Sequence, residues 1–371
     1  MRTLLGALGL VLSAFAVAAA AATPAVARET PAPPLERAVD DLVAAGAPGA
    51  VLLVRHEGRT LRIARGHADA AKRTPLRAGD RFRAGSVTKT FVATVVLQLA
   101  REGRLDLRDP VERWLPGAVP GGADVTLRHL LNHTSGLFNY SEDPRTFAPY
   151  EADPGYRWDP RGLVGIASDH PALFAPGADW SYSNTNFVVL GLVVEAVTGR
   201  PLATELRERI FRPAGLRHTT FDDRPRIAGR HARGYVVDAA GRRQDVTDLS
   251  PSWAWAAGAL VSTADDLARF SRALLGGRLL PRGQLAEMKT IDPVTRKAPG
   301  GAGYGLGLLA APTLCGQAWG HDGQYAGYTS LLLNRRAARE QMVLLVNRTG
   351  LTGETGRAYG RVVGAAACAG G

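Results

Sequence analysis

Ser86 and Lys89 stand three residues apart where the loop Arg81-Phe82-Arg83-Ala84-Gly85 gives way to an apolar run that continues to Arg101. Residues at that spacing share one face of a helix, so an amine lies beside a hydroxyl. A serine hydroxyl attacks a carbonyl only when a neighbouring base takes its proton, and a lysine in a dry site can lose its charge and help. The start of the helix adds unpaired N–H groups and partial positive charge where an oxyanion would form. The same pair also reads as a capping serine with a surface lysine, so the chemistry needs further groups.

Two other clusters supply candidates. Tyr182 and Asn184, in Trp180-Ser181-Tyr182-Ser183-Asn184-Thr185-Asn186, precede the apolar run Phe187–Val197. Two apart on a loop, they can face one cleft, the phenol relaying a proton and the amide holding both the C=O and N–H of a peptide bond. A helix cap with an aromatic plug is the plainer reading. The third cluster is Gly320-His321-Asp322-Gly323-Gln324. Its glycines permit close backbone approach, and a strand edge there would aim the N–H of Gln324 at an oxyanion facing the N–H of Ser86. Two converging donors are usually the largest electrostatic contribution in acyl transfer. His321 would supply charge for a substrate carboxylate or steer the proton relay.

These groups need rigid supports. Leu35–Ala45 reads as a helix ended by Gly46-Ala47-Pro48-Gly49, and Val51–Val54 and Leu61–Ala64 as strands joined through Glu57-Gly58. Thr90–Ala100 is apolar on nearly every side and belongs inside the protein as a buried rod. Leu127–Leu131, Asn186–Val197 with Gly199 after it, and Ala264–Leu275 read as helices. Tyr304–Leu309, Gln317–His321, Tyr328–Leu333 and Gln341–Val346 read as strands, and Thr355–Ala367 as a last helix. Strands near both ends with helices between predict an α/β fold: one sheet built from both termini, with a mostly helical lobe inserted.

Residues 1–27 read as an export signal: Arg2, an uncharged stretch from Leu4 to Ala22, and small residues at Ala25-Val26-Ala27, with cleavage after Ala27 or Ala22. No later stretch is long and apolar enough to insert stably in a membrane, so the expected protein is secreted or otherwise extracytoplasmic. In that compartment the two cysteines, Cys315 and Cys368, form a disulfide more readily than they stay free. The net charge of +11 is carried mostly by scattered arginines. Only Arg224, Arg226, Arg230 and Arg233 group together, which does not make a nucleic-acid surface. His129 and His133 have zinc-like spacing but no adjacent glutamate or acidic third ligand, and Gly305-x-Gly307 lacks the context of a nucleotide loop. No metal or other cofactor is implied.

Ser-x-x-Lys, Tyr-x-Asn and His-x-Gly, in that order, resemble the serine β-lactamase/DD-peptidase family, whose relatives carry Ser-x-x-Lys, Ser-Asp-Asn and Lys-Thr-Gly. The similarity extends through Leu131-Asn132-His133-Thr134-Ser135-Gly136-Leu137, Ala256–Asp266 and Tyr304-Gly305-Leu306-Gly307-Leu308, and is strongest to the secreted soluble DD-carboxypeptidase/transpeptidase branch. It implies a β-lactamase/transpeptidase-like fold in one domain, residues 28–371. Its α/β lobe would span about residues 35–88 and 285–368, and its helical lobe about 89–284. It also implies that Ser86 is acylated with Lys89 as partner. Tyr182, kept partly deprotonated by nearby cations, would be the base and then protonate the leaving group. Asn184 would grip the substrate amide, Trp253 would form an aromatic wall, His321 would stand where lactamases carry lysine, and Cys315 and Cys368 match the branch's disulfide.

The implied substrates are peptidoglycan stem peptides or other small D-amino-acid peptides and esters, with β-lactams as acylating inhibitors. Two departures bear on specificity. Leu309 stands where that branch has a carboxylate-binding arginine, and Asp322 replaces a neutral residue. The expected activity is therefore D-Ala-D-Ala carboxypeptidase or transpeptidase. An esterase or D-amino-acid amidase with the same machinery is the alternative, and a non-catalytic peptidoglycan or β-lactam sensor the other.

Overall fold

A computed structural model describes residues 34–238, 241–297 and 301–368; the expected export signal lies outside them. The first helix, Pro34–Ala44, buries Val39 and Leu42. It is followed by β1 (Gly49–His56) and β2 (Arg59–Asp69), which form the expected hairpin. Its turn places Glu57 and Gly58 at φ 46° and 82°, the paired positive values that match the twist of two joined strands. Short strands β3 (Thr74–Pro75) and β4 (Phe82–Arg83) lead to the Ser86 turn and the central helix, Thr88–Arg101. Helical segments then alternate with small strands, β5 (Thr220–Phe221), β6 (Tyr235–Val237), β7 (Arg243–Asp245) and β8 (Leu260–Ser262). The chain returns to the sheet through β9 (Gly303–Tyr304), β10 (Leu309–Thr313), β11 (Gly316–Tyr325), β12 (Tyr328–Arg335) and β13 (Glu340–Val346), and ends in the helix Gly353–Ala367.

The main sheet has the order β3-β2-β1-β13-β12-β11-β10-β9, with every neighbouring pair antiparallel. The early strands therefore join the late ones, with Ala50 opposite Val346. Helices cover both faces. Val51 and Leu53 point into the core shared with Phe91 of the central helix, while Leu52 and Val54 meet Leu42 and Val362 of the two terminal helices. A one-residue slip of β1 would exchange the two sets, so this double burial fixes its register. The central helix is buried from Thr88 to Leu99, and Phe91 stacks on Phe270 at 3.5 Å.

Two features differ from the expected pattern. The apolar run Tyr304–Leu309 is not one strand. It breaks at Gly305–Leu308, where Gly307 takes φ 67° and a Cβ would lie 2.4 Å from that of Ala93. Thr90 donates to the Gly307 carbonyl at 2.8 Å, so helix packing, not ladder pairing, claims Leu306 and Leu308. The strand expected over Gln317–His321 instead continues to Tyr325, which puts Gly323 and Gln324 within β11.

Cys315, in the turn between β10 and β11, is bonded to Cys368 at the end of the last helix. Cross-linking shortens the unfolded chain's reach and typically stabilises by about 2–4 kcal/mol. The double variant Cys315→Ser/Cys368→Ser is expected to lose that much in urea unfolding; an unchanged midpoint would remove the disulfide from the account of stability. Of the grouped arginines, Arg224 pairs with Asp222 at 2.8 Å, Arg230 with Asp80 at 2.5 Å, and Arg233 with Asp245.

Candidate active site

The Ser86 turn is a backbone-tight junction. Gly85 has φ 53°, and a Cβ there would lie 2.6–2.8 Å from the backbone N, C and O of Gln324. Opposite it, a Cβ on Gly323 would approach the Ala84 carbonyl oxygen to 2.1 Å. Glycine at both positions lets the turn and β11 touch through their main chains, which brings the Gln324 amide to the Ser86 loop. Hydrogen bonds fix the loop further: Ala84 N–H donates to the Leu260 carbonyl at 2.8 Å, Ser330 Oγ donates to the Ala84 carbonyl at 2.8 Å, and Thr88 Oγ1 donates to the Gly85 carbonyl at 2.7 Å. Gly323→Ala is expected to cost about 1–3 kcal/mol through overpacking and to lower Ser86 acylation by at least tenfold. Wild-type labelling in that variant would show that the junction can move without consequence.

Lys89 is fully buried beside the serine, its Nζ 3.0 Å from Ser86 Oγ, 2.8 Å from Asn184 Oδ1 and 2.8 Å from the Ala257 carbonyl oxygen. Burial drives its pKa well below the ordinary lysine value, with the Asp322 carboxylate opposing the shift. The amide and backbone oxygens only accept, so a neutral amine gives its two hydrogens to them and turns its lone pair to the Ser86 hydroxyl. That is the geometry of a general base.

Tyr182 lies within hydrogen-bond reach of Ser86, and Lys89 Nζ is 4.8 Å from its ring centroid. Burial, reinforced by Asp322, raises the phenol pKa far above its ordinary value, against a smaller opposing effect of the Ser86 hydrogen bond. Burial and Asp322 thus oppose the partly deprotonated Tyr182 that the resemblance implies and favour a phenol that holds its proton in the resting site. Asn184 opens the helix Asn184–Thr198. Its Oδ1 accepts from Lys89, and its Nδ2 donates to Ser141 Oγ at 3.0 Å. Both ends of its amide are held by the protein, so it orients the base in addition to any substrate contact.

His321 is buried on β11. Its Nδ1 is 2.5 Å from the Asp322 carbonyl oxygen and 3.4 Å from the Asp322 carboxylate, and its Nε2 is 2.7 Å from the Tyr304 hydroxyl. Its ring is 6.5 Å from that of Tyr182. Leu309 is paired with Gly320, directly before His321, and brings no cation to that end of the crevice. The structure thus gathers Ser86, Lys89, Tyr182, Asn184, His321 and the backbone of Gln324 in one seam between sheet and helices.

Trp253 is the residue whose expected setting changes most. It is 9 % exposed, stacked on Tyr325 at 5.5 Å and set edge-on to Phe147 at 5.1 Å. Its indole is largely taken up by packing against these two rings and is not the open aromatic wall that the resemblance implies. His129 turns its ring back to the start of its own helix, where Thr126 N–H donates to Nδ1 at 3.3 Å. Among the described residues no group of three or more His, Cys, Asp or Glu is placed to hold a metal ion. Sequence reasoning misses Tyr304, Ser141 and the Ala257 carbonyl. Tyr304 heads the Tyr-Gly-Leu-Gly-Leu segment, which could have pointed to it; the other two carry no local signal.

A serine hydroxyl served by a buried amine and a phenol, at the seam of an antiparallel sheet and a helical wall, defines a serine hydrolase of the β-lactamase/transpeptidase fold. The chain belongs to the Beta-lactamase family, whose model matches residues 35–367. It is similar to the D-stereospecific amidohydrolase from Streptomyces sp., at 39% identity and a TM-score of 0.81, with 91% of this chain and 99% of that one covered. The D-amino acid amidase from Ochrobactrum anthropi SV3, solved with D-phenylalanine, is 30% identical with a TM-score of 0.78 over 89% of this chain and 97% of that one. Penicillin-binding protein 4* of Bacillus subtilis (strain 168) is 29% identical over 303 residues, 76% of this chain and 64% of its own. The chain spans about half to two thirds of the length of curated relatives such as this one.

Proposed function

We propose that the protein is an exported serine amidohydrolase that cleaves amide bonds of small D-amino-acid amides and peptides through an acyl-enzyme on Ser86. The observation that carries the reading is the buried Lys89 amine, 3.0 Å from Ser86 Oγ with both hydrogens claimed elsewhere. Ser86 Oγ attacks the carbonyl carbon while its proton passes to Lys89 Nζ. The oxyanion forms between the N–H groups of Ser86 and Gln324. Collapse breaks the C–N bond, and the leaving nitrogen takes its proton from the Tyr182 phenol, which Lys89 resupplies. Water then releases the acid from Ser86.

The substrate class is supported by the amidohydrolase and amidase neighbours, which this chain matches over nearly their whole length. It is also supported by Leu309 and Asp322: a site with a leucine where a guanidinium would meet a terminal carboxylate, and with a carboxylate of its own nearby, favours an uncharged leaving side. D-Ala-D-Ala carboxypeptidase or transpeptidase activity on peptidoglycan stem peptides is the second reading, favoured by penicillin-binding relatives. Both readings make β-lactams candidate acylating ligands. Export is supported by the character of residues 1–27 and by the cystine, which persists in oxidising compartments.

The deciding experiment compares purified protein on D- and L-phenylalanine amide, diacetyl-Lys-D-Ala-D-Ala, a short ester and labelled penicillin, with Ser86→Ala as control. Fastest turnover of the D-amide is expected. Faster release of D-alanine from the diacetyl peptide would replace this reading with the carboxypeptidase one, and labelling or turnover that survives Ser86→Ala would defeat both.

A further inference from the structure

Tyr182 sits on a loop, and proton transfer through its hydroxyl needs that loop held to a fraction of an ångström. The holder is His133, which lies on the neighbouring segment Leu131–Leu137. The Ser181 N–H donates to the His133 carbonyl oxygen at 3.1 Å, and the Ser183 N–H donates to His133 Nδ1 at 3.2 Å. The residues on either side of Tyr182 are therefore both fastened to one histidine. Asn186 Nδ2 lies 3.1 Å from the same Nδ1, and Asn186 is turned that way by Ser135 Oγ, which donates to its Oδ1 at 2.6 Å. The imidazole also lies against the Tyr182 ring, centroid to centroid 4.3 Å at 35°.

Two further features mark the arrangement as built for this purpose. His133 adopts φ 63°, a left-handed conformation that costs a non-glycine residue about 1–2 kcal/mol. It is this conformation that lets carbonyl and side chain face the same loop. Its Nε2 is buried and has no hydrogen-bond partner among the described residues. Because the Ser183 N–H can only donate, Nδ1 must be the acceptor and Nε2 carries the proton of a neutral ring. Burial pushes the His133 pKa well down and keeps the ring neutral, while the Ser183 N–H fixes the tautomer.

We propose that His133 is the positioning residue for Tyr182: as a neutral hydrogen-bond acceptor it clamps both sides of the tyrosine and sets its hydroxyl against Ser86. The proposal rests on the reading of Tyr182 as proton donor in Ser86 chemistry. A residue that merely fills the core would be replaced best by phenylalanine and worst by asparagine, whereas an acceptor clamp predicts the reverse. Asparagine retains an accepting oxygen and tolerates a positive φ; His133→Gly tolerates the φ but has no acceptor.

The test follows three variants, His133→Asn, His133→Phe and His133→Gly. It measures Ser86 labelling by a fluorophosphonate, kcat and KM on D-phenylalanine p-nitroanilide, and hydrogen exchange across residues 181–186. For His133→Phe and His133→Gly, a 10- to 100-fold loss in kcat is expected, the scale for a reacting group displaced by about 1 Å. KM should stay within about threefold and exchange at 181–186 should accelerate, while His133→Asn keeps kcat within about fivefold of wild type. Phenylalanine equal to or better than asparagine overturns the proposal in favour of packing, and glycine equal to asparagine overturns it in favour of backbone strain. Should wild type itself fail to label at Ser86, the functional reading falls and the proposal with it; normal wild-type labelling with the wrong variant order sinks the proposal alone.

Discussion

Lys89→Met is expected to slow acylation of Ser86 by about three orders of magnitude or more, since it removes the base on which the nucleophile depends. It is also expected to change how stability varies with pH, and that second effect isolates the charge state of the buried amine. In the unfolded chain Lys89 holds its proton up to its ordinary pKa of 10.5. In the folded protein burial drives the proton off at lower pH. Between those two values the unfolded state binds more protons, so wild-type stability rises with pH. The burial penalty is full below the folded pKa and gone above 10.5. The slope within the window approaches about 1.4 kcal/mol per pH unit. Methionine has no such proton, so the wild-type-minus-variant difference from urea unfolding should grow in the wild type's favour from neutral pH to pH ~10. Parallel curves would mean that Lys89 keeps its charge when folded, and the proposed base would be lost.

Tyr182→Phe is expected to lower turnover of D-phenylalanine p-nitroanilide by about 10²–10⁴-fold, the usual worth of a positioned proton donor. Hydrolysis of the matching p-nitrophenyl ester should fall far less. An amide nitrogen must be protonated before it can leave, whereas p-nitrophenolate departs as the anion. The contrast is the signature of a phenol that starts protonated, the state that burial and Asp322 favour by raising its pKa. Were Tyr182 the base, formation of the acyl-enzyme would suffer and both substrates would lose equally. Equal losses would therefore return that role to Tyr182.

Much of this site is legible in residue types and their order alone. Ser86 with Lys89, Tyr182 with Asn184, and His321 ahead of Gly323 carry their meaning that way, and the hairpin and terminal strands follow from short-range patterns. What escapes is whatever depends on the interior. No spacing rule ties Asn184 to Lys89, because the contact exists only once the two helices pack. The upward shift of the Tyr182 pKa comes from burial and from Asp322, a neighbour that no local stretch of sequence supplies. Trp253 is legible as an aromatic near the cleft but not as one buried in a stack on Tyr325. The break at Gly305–Leu308 hides within an apolar run that serves strands and buried turns equally well.

The union of β1 with β13 has a consequence for how the molecule comes into being. The residue facing Ala50 is Val346, so the hairpin made first must wait, one edge unsatisfied, until the distant strand Glu340–Val346 has been synthesised. Such long-range closure makes for slow maturation and a lengthy period of vulnerability to self-association. It also makes catalysis depend on the later strands: a fragment cut short before β11 would hold the nucleophile and its amine but lack the strand against which an oxyanion is stabilised.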